Sequence, residues 1–260
     1  VGRDRDALDD AGSERVTDRI VVITGATRGI GKACAIELAG AGWTVAVGYR
    51  SDEAAAKEVL AELDAAGTPG LAIYLDTTDE ASVRDAFRQV AEEAGNVTGL
   101  VNNAGFSQDG LLLKYDMETY DRVMDTNVKG SFLCAKAAMR GMLKARWGRI
   151  VNISSAVALR GNAGQTVYGA SKTAQVGLTR SLAREVGARG ITVNAVCPGL
   201  VDTEMTAYLD DAPRAYYVDQ TPIGRTATLH EVAAVVRFLM SDDASYVNGA
   251  VIPVDGGLTA

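Results

Sequence analysis

The chain has 260 residues, 47% of them hydrophobic, so it is long and apolar enough to bury a substantial core. A formal net charge of −7 argues against a nucleic-acid binder, which shows a basic footprint, and no apolar run is long enough for a membrane span. The single histidine, His230, argues against a histidine-based metal site and leaves a Ser-His-Asp hydrolase only one base to use, so no metal is expected.

Residues 1–18 are charged and lack an apolar period, and a poorly ordered tail is expected there. No apolar segment opens the sequence, so no secretory signal is expected. Cys34, Cys134 and Cys197 are odd in number and far apart, which suggests a reducing, cytoplasmic setting and thiols that act as small core residues. Ordered structure begins at Ile20–Ile23. This β-branched run has no polar alternation, as in a strand buried on both faces. A glycine loop, Thr24–Gly31 (TGATRGIG), follows at once, and Lys32–Ala39 reads as a helix with Ile30, Cys34 and Leu38 on one side. Strand, glycine loop and helix together can hold a phosphate on free backbone N–H groups at a helix N-terminus. Gly25 would make the tight turn, and Gly29 and Gly31 would allow close approach of ligand and of strand. The spacing G-x-x-x-G-x-G differs from the G-x-G-x-x-G of most dinucleotide folds.

The pattern repeats. Thr44–Val47 reads as a second strand, and Asp52–Ala66 as an alanine-rich helix closed by Gly67. Leu71–Leu75 is a third strand, and Thr77 with Glu80 suggests a capping box for the helix ending near Gly95. Gly99–Val101 is a fourth strand leading into Asn102–Gly105 (NNAG). Asp116–Arg146 carries one long helix or two consecutive ones. Arg149–Ile153 is a fifth strand ending in Ser154 and Ser155. The segment Gly164–Arg189 holds a helix, and Ile191–Val196 is a sixth strand stopped by Pro198 and Gly199. Residues 200–223 have two prolines and little period. Leu229–Met240 is a last helix with His230 exposed in its first turn, and Pro253 places the short strand Val251–Val254 at a sheet edge.

Strands alternating with helices in this way predict a single-domain α/β fold of Rossmann type. It is a doubly wound parallel sheet of about seven strands with helices on both faces. Ligands in such sheets bind beyond the carboxyl ends of the strands. The unusual residues follow strand ends: Gly25–Gly31, Arg50, Asp76, Asn103–Gly105, Ser155 and Pro198–Gly199. Within the Gly164–Arg189 helix, Tyr168 and Lys172 stand four apart, one turn above the other on one face. A close ammonium favours the phenolate and lowers the phenol pKa, which would let the pair exchange a proton near neutral pH. A surface Tyr and Lys on an ordinary helix have the same spacing, so this pattern alone does not decide.

The glycine loop, Asn102–Gly105, Asn127, Ser155, Tyr168-x-x-x-Lys172 and Pro198–Gly199 occur together and in order. Over residues 19–257 the chain resembles the short-chain dehydrogenase/reductase family. The resemblance implies that Tyr168 donates a proton to the oxygen of a reacting carbonyl and that Ser155 hydrogen-bonds that oxygen. Lys172 would hold the nicotinamide ribose and depress the Tyr168 pKa, and Asn127 would fix a water that links Lys172 to solvent. It further implies nicotinamide-cofactor contacts at Gly25, Thr27, Arg28, Gly29, Ile30 and Gly31, and at Asp76, Thr77, Asn103, Ala104 and Gly105. Tyr168, Lys172, Pro198, Gly199, Val201 and Thr203 complete that set. NAD enzymes of this architecture have an acid at the end of the second strand. Here the position reads Gly48–Ser51 (GYRS), and Arg50, joined by Arg28, points to NADP(H); the alternative is that Arg50 is a solvated loop charge.

Within the family the chain looks most like 3-oxoacyl-[acyl-carrier-protein] reductases, on Gly148–Ser154, Arg189–Asn194 and Ala244–Gly257. The expected reaction is NADPH-dependent reduction of a ketone, a 3-oxoacyl thioester on acyl carrier protein. Related ketoreductases act on polyketides or on free and cyclic carbonyl compounds. A regulator that binds the dinucleotide without catalysis is the reading from another class. Arg146 and Arg189 match carrier-docking positions, and Lys144 and Arg149 would extend a basic patch for an acidic partner. The alternative is that these cations oppose helix dipoles. Residues 200–223 would form the substrate lid. The resemblance also implies a homotetramer, in which the Asp116–Arg146 and Tyr168 helices pack against their copies.

Overall fold

Every strand expected from the sequence pairs in parallel in one sheet of the computed structural model, which describes residues 19–68, 70–203 and 211–260. The strands are β1 (Ile20–Ile23), β2 (Thr44–Tyr49), β3 (Gly70–Tyr74), β4 (Gly99–Asn102), β5 (Gly148–Ile153), β6 (Ile191–Pro198) and β7 (Val251–Val254). Their order is β3-β2-β1-β4-β5-β6-β7, so the order in which strands are added switches sides between β1 and β4 while all remain parallel. The helices are α1 (Gly29–Gly40), α2 (Glu53–Ala65), α3 (Glu80–Glu93), α4 (Met117–Met124), α5 (Gly130–Ala145), α6 (Val157–Arg160), α7 (Thr166–Val186), α8 (Asp211–Asp219) and α9 (Leu229–Leu239).

The central strands are apolar throughout because both faces are covered. On one face Val21, Ile23, Val45, Val47 and Val151 pack against Cys34 and Leu38 of α1, Val59 and Leu63 of α2, and Val236 and Leu239 of α9. On the other, Ile20, Val22, Leu100, Ile150 and Val193 meet Phe87 and Val90 of α3, Leu133 and Met142 of α5, and Ala183 and Val186 of α7. Side chains alternate along each strand, so one β-branched run feeds two cores. Burial raises the Cys34 and Cys134 thiols to about 12, in keeping with inert core residues.

Three local expectations are corrected, and of the two arrangements expected for Asp116–Arg146 the one with two consecutive helices is found. The cap of α3 is Asp79, whose carboxylate accepts from the Ala81 and Ser82 N–H groups at 3.1 and 3.2 Å. Thr77 is instead buried against Gly130, where an added Cβ would come within 2.8 Å of its Oγ1, and Glu80 reaches across to Lys136 at 2.8 Å. Strand β6 runs on through Pro198, in register with Val254, because the proline carbonyl accepts from the Ala156 N–H and Gly199 N–H bonds the Val254 carbonyl. The segment Asp116–Arg146 resolves into α4 and α5 joined by a π-helical turn, Asp125–Lys129, and α5 stops at Arg146 in the left-handed region, φ 51°. Within residues 200–223, where no period was read, α8 forms a regular helix. The remainder of the expected lid at 204–210, and the tail at 1–18, lie outside the described residues. Pro253 does sit on an edge strand, since β7 closes the sheet.

Candidate active site

The glycine loop leaves the carboxyl end of β1 and is clamped by the loop after β4. Thr24 Oγ1 accepts from the N–H groups of Asn103 and Ala104, and the Asn103 amide donates to the Thr24 and Gly25 carbonyls at 3.0 and 2.9 Å. Gly31 is required by sterics: a Cβ there would fall 2.2 Å from the Gly25 carbonyl oxygen. Helix α1 follows Arg28, whose own side chain makes no capping bond, and has no acid in its first turn. A helix N-terminus without an acidic first turn, set against a glycine cradle, fits a diphosphate.

Beyond the loop a cavity of about 190 Å³ opens over the carboxyl ends of β4, β5 and β6. Ile30, Asn103, Gly105, Ser155, Tyr168, Lys172, Pro198, Gly199, Val201 and Thr203 all line it, although they come from five separate stretches of chain. Helix α7 brings Tyr168 and Lys172 to one wall, and the end of β5 brings Ser155. The Ser155 oxygen accepts from the Val157 N–H at 3.2 Å at the start of α6, and its hydroxyl lines the same cavity as the Tyr168 phenol, whose pKa it lowers. Lys172 is buried, its Nζ 5.7 Å from the Tyr168 ring centre. That ammonium donates to the Ile153 carbonyl at 2.8 Å and to Gln175 Oε1 at 3.1 Å.

These environments separate two proton affinities. Burial, with the Cys197 thiol opposing it, pushes Lys172 down to about 8. Tyr168 goes the other way. Burial raises its phenol to about 12, the Ser155 hydroxyl pulls it back, and Asp109 adds to the rise. The residue as a whole is half-buried along the cavity wall while its phenol is desolvated. Desolvation therefore dominates at the phenol in this geometry, against the expected depression of Tyr168 by Lys172.

Asn127 is fully buried in the π turn rather than on the cavity wall. Its carboxamide is spent on structure: Oδ1 accepts from the Phe106 N–H, and Nδ2 donates to the Phe106 carbonyl and to Ser171 Oγ. Its backbone carbonyl accepts from Gln175 Nε2 at 3.0 Å and Ser131 Oγ at 2.8 Å.

A family model described as enoyl-(acyl carrier protein) reductase matches residues 25–259. A 3-oxoacyl-[acyl-carrier-protein] reductase FabG from Pseudomonas aeruginosa is 44% identical over 92% of this chain and 97% of its own length. The FabG of Escherichia coli K12 is 42% identical over the same shares. The chain belongs to the short-chain dehydrogenase/reductase family. One solved relative of this family, a blue fluorescent protein from a metagenomic library in complex with NADPH, superimposes with a TM-score of 0.88. It is 40% identical and is matched over 93% of this chain and 98% of its own.

The other family positions fall around the cavity rather than in it. Gly25, Thr27, Arg28, Gly29, Gly31 and Ala104 belong to the glycine loop, α1 and their clamp. Arg50 is exposed just past β2. Asp76 follows β3 with Oδ1 accepting from the Thr78 N–H and hydroxyl. The basic patch loses one member: Arg149 is 3% exposed, stacked 4.4 Å from the Trp147 ring centre and bonded to the Ser241 carbonyl. Arg146 and Arg189 are exposed and precede β5 and β6, so they lie at the opposite end of the sheet from this chain's own cavity. The sequence reading missed Gln165, Asp109 and Tyr217 on the cavity wall. Gln165 Nε2 donates to Asp109 Oδ1 at 2.9 Å, and Asn162 Nδ2 joins Gln165 to the Tyr217 hydroxyl of α8. Only the spacing of Gln165, three residues before Tyr168, could have drawn attention to it.

Proposed function

We propose that the chain uses NADPH to reduce a 3-oxoacyl (β-keto) thioester, carried on acyl carrier protein, to its secondary alcohol. The observation that carries this reading is the convergence of Ser155, Tyr168 and the buried Lys172 on one cavity at the carboxyl rim of the sheet. A bound nicotinamide supplies the hydride. As negative charge builds on the substrate oxygen, Ser155 and Tyr168 are already aimed at one position and Tyr168 gives up its proton there. Lys172 holds the ribose and supplies positive charge beside the phenol.

The glycine cradle and the start of α1 hold the diphosphate, and Arg50 with Arg28 hold the 2′-phosphate. The similarity to the two FabG proteins supports the 3-oxoacyl substrate. Because Arg146 and Arg189 face away from this chain's own cavity, a carrier docked on them serves the cavity of a neighbouring copy in a homotetramer.

The test follows NADPH absorbance with 3-oxoacyl, enoyl and cyclic-ketone substrates, and repeats the assay with NADH. The 3-oxoacyl substrate is expected to be consumed with NADPH preferred, and Tyr168→Phe to lower kcat about a thousandfold while still binding NADPH. Equal behaviour of wild type and Tyr168→Phe on every substrate would leave a dinucleotide-binding regulator. Turnover of the enoyl substrate alone would move the reaction from the carbonyl to the adjacent double bond.

A further inference from the structure

Gln175 lies one turn beyond Lys172 on α7, fully buried, and is absent from the motif that identified the site. Its amide is used at both ends. Oε1 accepts from the Lys172 ammonium at 3.1 Å, while Nε2 donates to the Asn127 carbonyl at 3.0 Å and to Ser131 Oγ at 2.8 Å. Ser131 in turn donates to the same Asn127 carbonyl at 2.8 Å. Only one orientation of the amide works: turned over, it would aim an N–H at an ammonium and an oxygen at a carbonyl. A buried glutamine also loses considerable side-chain freedom on folding, so an apolar residue would fill this position more easily unless the amide has work to do.

We propose that Gln175 is a positioning residue of the reductase site, holding the Lys172 ammonium by one end of its amide and the Asn127 turn by the other. This rests on the reductase reading. Among the described residues the ammonium's other acceptor is the Ile153 carbonyl. A lysine tail is flexible and its three N–H bonds have no fixed plane. A second acceptor on the same helix fixes where the charge sits and favours the charged form in a site that otherwise disfavours it. The ionisable groups facing Lys172 are few: Tyr168 on its own helix, Cys197 on β6, and Asp109, which acts on Tyr168 from the loop after β4. None of them is a carboxylate bonded to the ammonium, so the amide oxygen matters more than it would beside an acid.

The experiment compares wild type, Gln175→Leu and Gln175→Glu. Lysine side-chain NMR follows the Lys172 titration, assigned with Lys172→Met, and the pH dependence of ketone reduction is measured in parallel. Gln175→Leu removes the acceptor and should move the Lys172 titration down by roughly one pH unit. It should also lower kcat at neutral pH about tenfold, with KM for the ketone nearly unchanged. Gln175→Glu places a carboxylate at the same distance and should move the titration up by a similar amount, taking the alkaline limit of kcat with it. A residue that only fills space would shift both variants in one direction or neither.

Movement in the same direction, or an unchanged titration in a folded Gln175→Glu protein, would overturn the proposal. That variant decides even where Gln175→Leu fails to fold. A wild type that binds NADPH and reduces no ketone would defeat the reductase reading instead, and the Lys172 titration would still decide the role of Gln175.

Discussion

Two cations are buried at opposite ends of the same sheet. Lys172 sits over the carboxyl ends of the strands, and its hydrogen-bond acceptors are neutral, the Ile153 carbonyl and the Gln175 amide. Arg149 sits at the amino ends. It donates to the Ser241 and Gly148 carbonyls, stacks on Trp147 and lies 3.6 Å from the Asp242 carboxylate. Burial lowers the pKa of both, and Asp242 opposes the fall at Arg149. A guanidinium keeps its charge under such pressure, whereas an ammonium can lose it. One end of the sheet thus holds a charge for the fold. The other holds a charge that is able to change.

The strongest way to break this contrast is to remove the structural cation. Arg149→Ala should destabilise the protein by about 3 kcal/mol, since it leaves buried carbonyls and the Trp147 face without their partner. Thermal or urea unfolding measures the loss. Turnover per folded molecule should stay near wild type, because the cavity is at the far end of the strands. If turnover falls in proportion to stability across the temperature range, the two ends are coupled and the contrast fails.

The next effect is smaller and depends on pH. The folded pKa of Lys172, about 8, lies below the ordinary 10.5. Below pH 8 the folded and unfolded chains both hold the proton, and the penalty for burying the charge is present in full. Above it the folded chain releases the proton while the unfolded chain keeps it, so stability rises with pH through this window. Cofactor-free wild type should therefore gain about 2 kcal/mol relative to Lys172→Met between roughly pH 8 and pH 10. Parallel stability curves for the two proteins would show that the ammonium keeps its proton, as Arg149 does. Reductase activity should fall over the same range as the charge beside Tyr168 is lost.

The two ends differ as well in how plainly the sequence shows them. The strands were readable because parallel strands covered on both faces are unbroken apolar runs, as at Ile20–Ile23 and Ile191–Val196. Tyr168, Lys172 and Ser155 were readable because their spacing and their places at strand ends follow from α/β geometry. Arg149 was misread as part of a surface patch, since nothing local says that Trp147 and Asp242, 95 residues apart and 3.3 Å from ring nitrogen to carboxylate, close over it. The Asp79 cap was missed because Thr77 and Glu80 satisfy the capping-box spacing from two residues earlier, whereas Thr77 packs against Gly130. Helix α8 has mixed composition and carries Pro213 in its first turn, so no clear apolar period marks it. Gln175 carries no motif at all; its meaning lies in partners contributed by the Asn127 turn and by α5.

The smallest effect concerns Arg146 and tests whether the amino end of the sheet has a function besides holding the fold. Arg146 is the only described non-glycine residue with positive φ, 51°, and it ends α5 in the left-handed region, where a side chain is strained. Its carbonyl oxygen would lie 2.4 Å from a Cβ on Gly190, so the turn cannot readily relax on that side. Glycine is the residue this backbone favours, and Arg146→Gly should raise stability by about 0.5 to 1 kcal/mol. If Arg146 is retained for an acidic carrier, the same variant should lower kcat/KM for the carrier-linked substrate severalfold and leave a small free ketone unaffected. Arg189→Glu alone should produce the kinetic loss without the gain in stability. Equal losses on both substrates would assign the strained arginine to the architecture shared with Arg149, and a stability loss in Arg146→Gly would show that the side chain stabilises the turn by more than its backbone strain costs.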